Sequence, residues 1–221
     1  MPVDGLPWGL RVDPLPLLEL AAAVVALPGG GAGLPPDRQA ALRAGLQPTP
    51  AAVEARTKAP IRALLRAGGH DPSGRGRPAH EALHKAVLDG RLGPDAGVHA
   101  LVDLANGLSL AHGLPVSLLR PAPGPLRVRL GRADEAYAFN PAGQVLGLRG
   151  LLLVEDAQGP AGSPVKDSQR TKATAEDDLL LLIVWGCAAL PGAAAALVAA
   201  FADALPEGDV QQVDWVLSTP G

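Results

Sequence analysis

Residues 179–202, LLLLIVWGCAALPGAAAALVAAFA, run for 24 positions without a charged side chain. Such a run is driven out of water, so it belongs in a bilayer or in a protein core. Two features favour the core. Pro191-Gly192 divides the run, and the flanks carry Asp177, Asp178 and Asp203 with no Lys or Arg anchor at either end. The run then reads as a buried strand over 179–185 and an Ala-rich helix over 193–205, with Pro191 near the helix start. A second apolar run, LLELAAAVVAL at 17–27, fits two states. Alanine favours helix, whereas the uninterrupted burial ending in Val-Val suits a covered strand.

The core has to be aliphatic, because 48% of the residues are hydrophobic and only 3% aromatic. With 27 Gly and 23 Pro, short elements and frequent turns are expected. A length of 221 residues suits one domain, 1–221. The single cysteine, Cys187, excludes an internal disulfide and suits a reducing, cytoplasmic setting; its apolar surroundings make it an inert core residue. Residues 1–8 lack the basic-then-apolar pattern of a secretory signal. The net charge of −3 gives no global case for nucleic-acid binding, and neither DNA nor a membrane is expected as a partner. Charge is uneven, however. Residues 38–91 and 120–172 carry an excess of Lys and Arg, and no base follows Lys172, so a local basic surface is allowed.

The N-terminal half reads as largely helical. Helices are expected over 36–46 and 50–67, with basic faces from Arg38, Arg43, Arg56, Lys58, Arg62 and Arg66, and with Pro60 interrupting the second. The glycines at 29–33 lack the Gly-Lys-Ser/Thr of a phosphate loop. A polar loop at 70–77 leads to a short helix over 78–88. The next helix begins near Val98, with Leu101, Ala105, Leu108 and His112 at helical spacing. Gly113 suits a left-handed cap, Pro115 forbids continuation, and His112 in the last turn suits a partial positive charge. The other face carries His99, Asp103 and Asn106, a polar stripe that is either solvated or lines a pocket. Strands follow at 126–130, 136–139, 144–154 and 210–217, with a loop at 156–162 and Trp215 expected in the core. Thr174 followed by Asp177 resembles a capping turn.

The most conspicuous motif is HEALH, His80-Glu81-Ala82-Leu83-His84. Two histidines four apart on a helix can share zinc, with the glutamate as base on metal-bound water. The extended motif does not continue, since Val87 and Gly90 stand where glycine and histidine would. Asp103, with His99 nearby, would have to supply the third ligand; otherwise the motif is a solvated helix face. The polar segment KDSQRTKAT, 166–174, offers Arg170, Thr171 and Thr174 to an anionic or carbonyl group, or is an exposed loop. Neither Ser109 nor Ser117 has a neighbouring base or a GxSxG setting.

Three blocks agree with one family. GHDPSGRGRPAHEALHKAVLDG at 69–90, LVDLANGLSLAHGLPVS at 101–117 and DSQRTKAT at 167–174 resemble the editing module of the phenylalanyl-tRNA synthetase beta subunit and its free-standing bacterial relatives. The similarity covers about 51–190, and the middle block is the most specific. It implies an α+β fold with a sandwich-like β core flanked by helices, and a strand over 17–27. It aligns Glu81 with the family's glutamate and His80 with a usual serine, so HEALH becomes a coincidence and no metal or other cofactor is implied. In the synthetase the pocket hydrolyses tyrosine wrongly attached to tRNA. Asn106 matches a pocket asparagine, and Gly113 and Pro115 the helix-exit turn. Ser117 stands where the family has its pocket histidine, Ala105 where it has a threonine, and the Gly-Gly-x-x-Ser/Glu loop has no counterpart.

The resemblance thus implies a tRNA-related module that binds an aminoacyl-tRNA end or an amino acid, with hydrolysis of mischarged tRNA in trans as its enzymatic form. The candidate binding residues are Asn106, Asp103, Ser109, Ser117, Arg170, Thr171 and Thr174, with Arg77 and Glu81 as an ion pair. Two alternatives stay open: a non-catalytic RNA or small-ligand binding protein, and a zinc hydrolase using the motif at 80–84. The first reading expects Asn106, Arg170 and Thr174 to face one cavity.

Overall fold

The computed structural model describes residues 2–3, 9–27, 29–92, 99–205 and 212–218. Three strands open the chain: β1 (Pro2–Val3), β2 (Leu10–Val12) and β3 (Leu18–Ala26). Helices α1 (Pro36–Arg43), α2 (Ala51–Ala67), α3 (Ala79–Leu88) and α4 (Ala100–His112) follow. Then come β4 (Val116–Leu119), β5 (Leu126–Leu130), β6 (Ala136–Ala138), β7 (Val145–Gly147), β8 (Leu152–Asp156), β9 (Gly159–Gly162) and β10 (Leu179–Cys187). Helix α5 (Ala193–Ala204) and β11 (Gln212–Ser218) complete an α+β architecture.

Residues 17–27 resolve in favour of strand. β3 lies between β11 and β10 in an antiparallel sheet of order β11-β3-β10-β4, and its first eight residues are all buried. A strand covered on both faces shows no alternation, which is why the sequence pattern was ambiguous. Pairing on both sides satisfies its backbone, and that outweighs alanine's weak helix preference. Its one acid, Glu19, is buried, and its Oε2 accepts a hydrogen bond from the Gly192 N–H at 3.1 Å, at the N-terminus of α5. A negative charge is favoured there.

The uncharged run divides as expected, into β10 and α5 on either side of Pro191-Gly192. Among the described residues no helix is long and apolar enough to cross a membrane. A second sheet, β1-β2-β5-β8-β9, is antiparallel except for the β2–β5 pair. Arg127 on β5 makes two bonds of 2.9 Å to Asp13, just beyond β2. Both sheets feed one core, in which Leu10, Val128 and Leu152 share a cluster with Ile183, Trp185, Leu101 and Phe201. The β6–β7 hairpin covers a smaller cluster of Leu65, Tyr137, Leu146 and Leu148.

Several expectations are corrected. The N-terminal half is not wholly helical, since it opens with three strands. Pro60 does not interrupt α2: the helix runs through it, and the carbonyl that loses its partner belongs to Arg56, which is exposed to water. α1 ends at Arg43 rather than 46. The loop at 156–162 contains β9, which closes a hairpin with β8. β4 had no expectation at all. Thr174 and Asp177 do form a turn, with the Asp177 carboxylate accepting from the Thr174 N–H at 2.6 Å, but no helix follows. The closing strand is present at Gln212–Ser218, while residues 210–211, the Trp215 side chain, Val98, and residues 1 and 4–8 lie outside the described residues.

Helix α4 is fixed by two glycines. Gly113 caps it at φ 67°, as expected for a left-handed C-cap. Gly107 meets the chain just beyond α1, where a Cβ would stand 2.9 Å from the carbonyl carbon and oxygen of Gly45. We expect Gly107→Ala to lower stability by about 1–3 kcal/mol in urea denaturation, the range for overpacking, although alanine is the better helix former. An unchanged or raised midpoint would contradict this packing.

Candidate functional site

The polar stripe of α4 is buried rather than solvated. His99 is the N-cap residue, and its Nδ1 accepts from the Leu101 and Val102 N–H groups at 3.1 and 3.4 Å. Burial lowers its pKa, which suits a ring nitrogen acting as acceptor. Asp103, only 2% exposed, accepts from Arg43 Nε at 3.1 Å and ties α4 to α1. His112 does not carry the expected charge readily: burial, and then the neighbouring Arg56, lower its pKa.

Asn106 is half-buried and faces a hollow of about 280 Å³. Three segments enclose it. α4 contributes His99, Val102, Ala105 and Asn106, β4 contributes Val116 and Leu118, and the late loop contributes Asp167, Lys172 and Ala173. Helical spacing brings Val102, Ala105 and Asn106 to one face, and strand alternation does the same for Val116 and Leu118. The result is an aliphatic wall with an amide, a carboxyl, an ammonium and an imidazole.

Asp167 is the chemically distinctive group. Its Oδ1 accepts the Ser117 hydroxyl at 2.7 Å and the Ser163 N–H at 3.2 Å. Its Oδ2 has no hydrogen bond among the described residues, and the side chain lines the hollow. Burial pushes the carboxyl up to about 7, against the opposing pull of these hydrogen bonds and of the Lys172 charge. A carboxyl titrating near neutrality can bind an amino group as an anion or take a proton from water.

The late loop therefore reaches the hollow, but not through the residues singled out in the sequence. Arg170 grips Asp156 with two bonds of 2.8 and 2.9 Å and closes the β8–β9 hairpin. Thr171 is fully buried and donates to the Ala161 carbonyl. Thr174 is held by Asp177. Ser109 donates to the Leu114 carbonyl at 2.6 Å behind the helix exit, and Ser117 supports Asp167 rather than lining the cavity itself. Of the three residues expected to converge, only Asn106 lines the hollow. A 3-10 turn at Gln169–Thr171 decides this, turning Arg170 and Thr171 away while Asp167 and Lys172 face inward. Asp167 was legible only as the one acid of the 166–174 segment.

The remaining candidates sit elsewhere. Glu81 pairs with Arg62 at 2.7 and 2.6 Å, not with Arg77, whose Nε donates to the Gly74 carbonyl at 2.8 Å. Asp103 is held by Arg43, away from a third-ligand role. Among the described residues no three His, Cys, Asp or Glu side chains converge to hold a metal.

Because the folded-state pKa of Asp167 is raised, the folded protein holds its proton longer than the unfolded chain does. Stability from this group is full below about 4 and is lost as pH rises through about 7. We expect the melting temperature of Asp167→Asn relative to wild type to climb between pH 4 and pH 7.5. A difference independent of pH would show that the carboxyl does not titrate there. In comparisons with known proteins, no protein family and no curated protein matches this chain.

Proposed function

We propose that the chain is a binding module for an amino-acid-like ligand, and that the ligand is the aminoacylated end of a tRNA. The observation that carries this reading is the convergence of Asn106, Asp167 and Lys172 on one small aliphatic hollow. Its volume lies near the lower limit of small-molecule sites, which suits a ligand the size of an amino acid. In this reading the Asp167 carboxylate and the Asn106 amide hold the α-amino group. Lys172 faces the ester carbonyl or the terminal ribose, and the aliphatic wall takes the side chain. The resemblance of 101–117 and 167–174 to the phenylalanyl-tRNA synthetase editing module supports the tRNA, and two sheets sharing one core suit its sandwich-like fold.

In the enzymatic form Asn106 alone holds the α-amino group, and Asp167 acts instead as general base. With its pKa near 7 the carboxylate can take a proton from water attacking the ester carbonyl, and Lys172 can stabilise the resulting oxyanion. Removing such a base typically costs about 10²–10⁴-fold in rate. The purely binding form is favoured by Ser117, which stands where the family has its histidine and is committed to Asp167.

Equilibrium dialysis with a panel of amino acids, together with deacylation assays on mischarged tRNAs, separates these forms. We expect saturable binding that Asn106→Ala and Asp167→Asn both weaken. If turnover occurs, its rate should rise with pH through about 7 and collapse in Asp167→Asn. Binding of none of these ligands would remove the proposal.

A further inference from the structure

The histidine pair of the HEALH motif borders a second cavity, between α2 and α3. It measures about 260 Å³ and shares no lining residue with the hollow on α4. His80 forms part of its wall and is only 4% exposed, yet its Nδ1 is buried without a partner and its ring makes no hydrogen bond among the described residues. Burial drives its pKa down to about 4, so the ring is neutral and carries one N–H. His84 accepts the Thr49 N–H on Nδ1 at 3.0 Å, which leaves the ring proton on Nε2.

The charges lining this cavity do not cancel. Lys58, Arg62, Arg77 and Lys85 face Glu54 and Glu81, a formal balance of +2. Arg62 is spent on Glu81, Lys58 donates to Glu54 at 2.9 Å, and Lys85 reaches Asp89 outside the cavity at 3.0 Å. Arg77 uses only its Nε, so its two terminal nitrogens have no partner among the described residues. A cavity with one unspent guanidinium fork and imidazole N–H donors complements a phosphate group, whose anionic oxygens accept charge-assisted hydrogen bonds.

We propose that this cavity binds a phosphate group, gripped by Arg77 and by the rings of His80 and His84, with Lys58 and Lys85 supplying the surrounding field. Glu81, the base of the zinc reading, is instead held by Arg62 and keeps that cation in place. The phosphate can belong to a nucleic-acid backbone or to a small phosphorylated metabolite. The inference stands apart from the reading of the α4 hollow, because it uses none of its residues.

The test is a titration of the full chain with inorganic phosphate, followed by NMR of the imidazole C–H signals, of which five histidines give a tractable set. We expect saturable shifts of His80 and His84, absent in chloride of matched ionic strength. Arg77→Ala should weaken binding by about tenfold or more, the loss of a charge-assisted bidentate contact. Arg77→Lys, which keeps the charge, should restore part of it. Arg77 lies on a loop, so circular dichroism should confirm both variants as folded. A short single-stranded RNA that competes with the phosphate assigns the site to a nucleic-acid backbone. Phosphate saturation without that competition assigns it to a small ligand. No response, an equal response to chloride, or saturable zinc binding without a phosphate effect would each overturn the proposal.

Discussion

The antiparallel ladder between Leu18–Ala26 and Leu179–Cys187 holds the rest of the molecule in place. It pairs nine residues of β3 with nine of β10 and is buried almost throughout. β10 takes β4 on its other edge in the register that sets Ser117 opposite Ile183. The Trp185 indole is fully buried, and a buried N–H needs an acceptor. Ser117 Oγ provides it at 3.0 Å, and its own hydroxyl donates a hydrogen bond to Asp167 Oδ1 at 2.7 Å. The donors thus run in one direction, from the core ladder to the rim of the hollow. This chain orients the carboxyl and leaves its second oxygen for a ligand.

The same core explains why many polar residues are structural. An aliphatic interior penalises an unpaired charge, so several buried or half-buried ions recruit an opposite charge. Asp103 has Arg43, Asp156 has Arg170, Glu81 has Arg62, and Arg129 bridges Glu135 and Glu155. Asp167 differs, since its hydrogen-bonding partners are a hydroxyl and an amide. Among the described residues, the carboxyls of Glu54, Asp89, Glu135 and Asp156 have lowered pKa values and only that of Asp167 has a raised one. The contrast follows from the partners: the lowered carboxyls face a cation, whereas burial dominates at Asp167.

Elements defined by their own local chemistry were legible in advance. The Pro-Gly break dividing β10 from α5, the Gly113 cap, the α4 periodicity and the alternating LRVRL of β5 all needed nothing beyond neighbouring residues. Elements defined by distant partners were not. β4 is four residues long and exists because β10 offers it an edge. β9 turns what reads as a loop into a strand because β8 lies beside it. Pro60 sits in a continuous helix, and the carbonyl it leaves without a helical donor belongs to Arg56, an exposed residue.

The site divides along the same line. The sequence alone determined that a polar stripe would run along α4 and that a hydroxyl-rich basic segment would follow the strands, because residue type and helical spacing are local properties. Only the tertiary structure decided that Asp103 would be an anchor and Asn106 a wall residue. It likewise decided that Arg170 would turn to Asp156 while Asp167 and Lys172 turned inward. The physical reason is that a charged side chain is placed by whichever counter-charge lies within a few ångströms, and chain folding brings that partner from 60 residues away for Asp103 and 14 for Arg170.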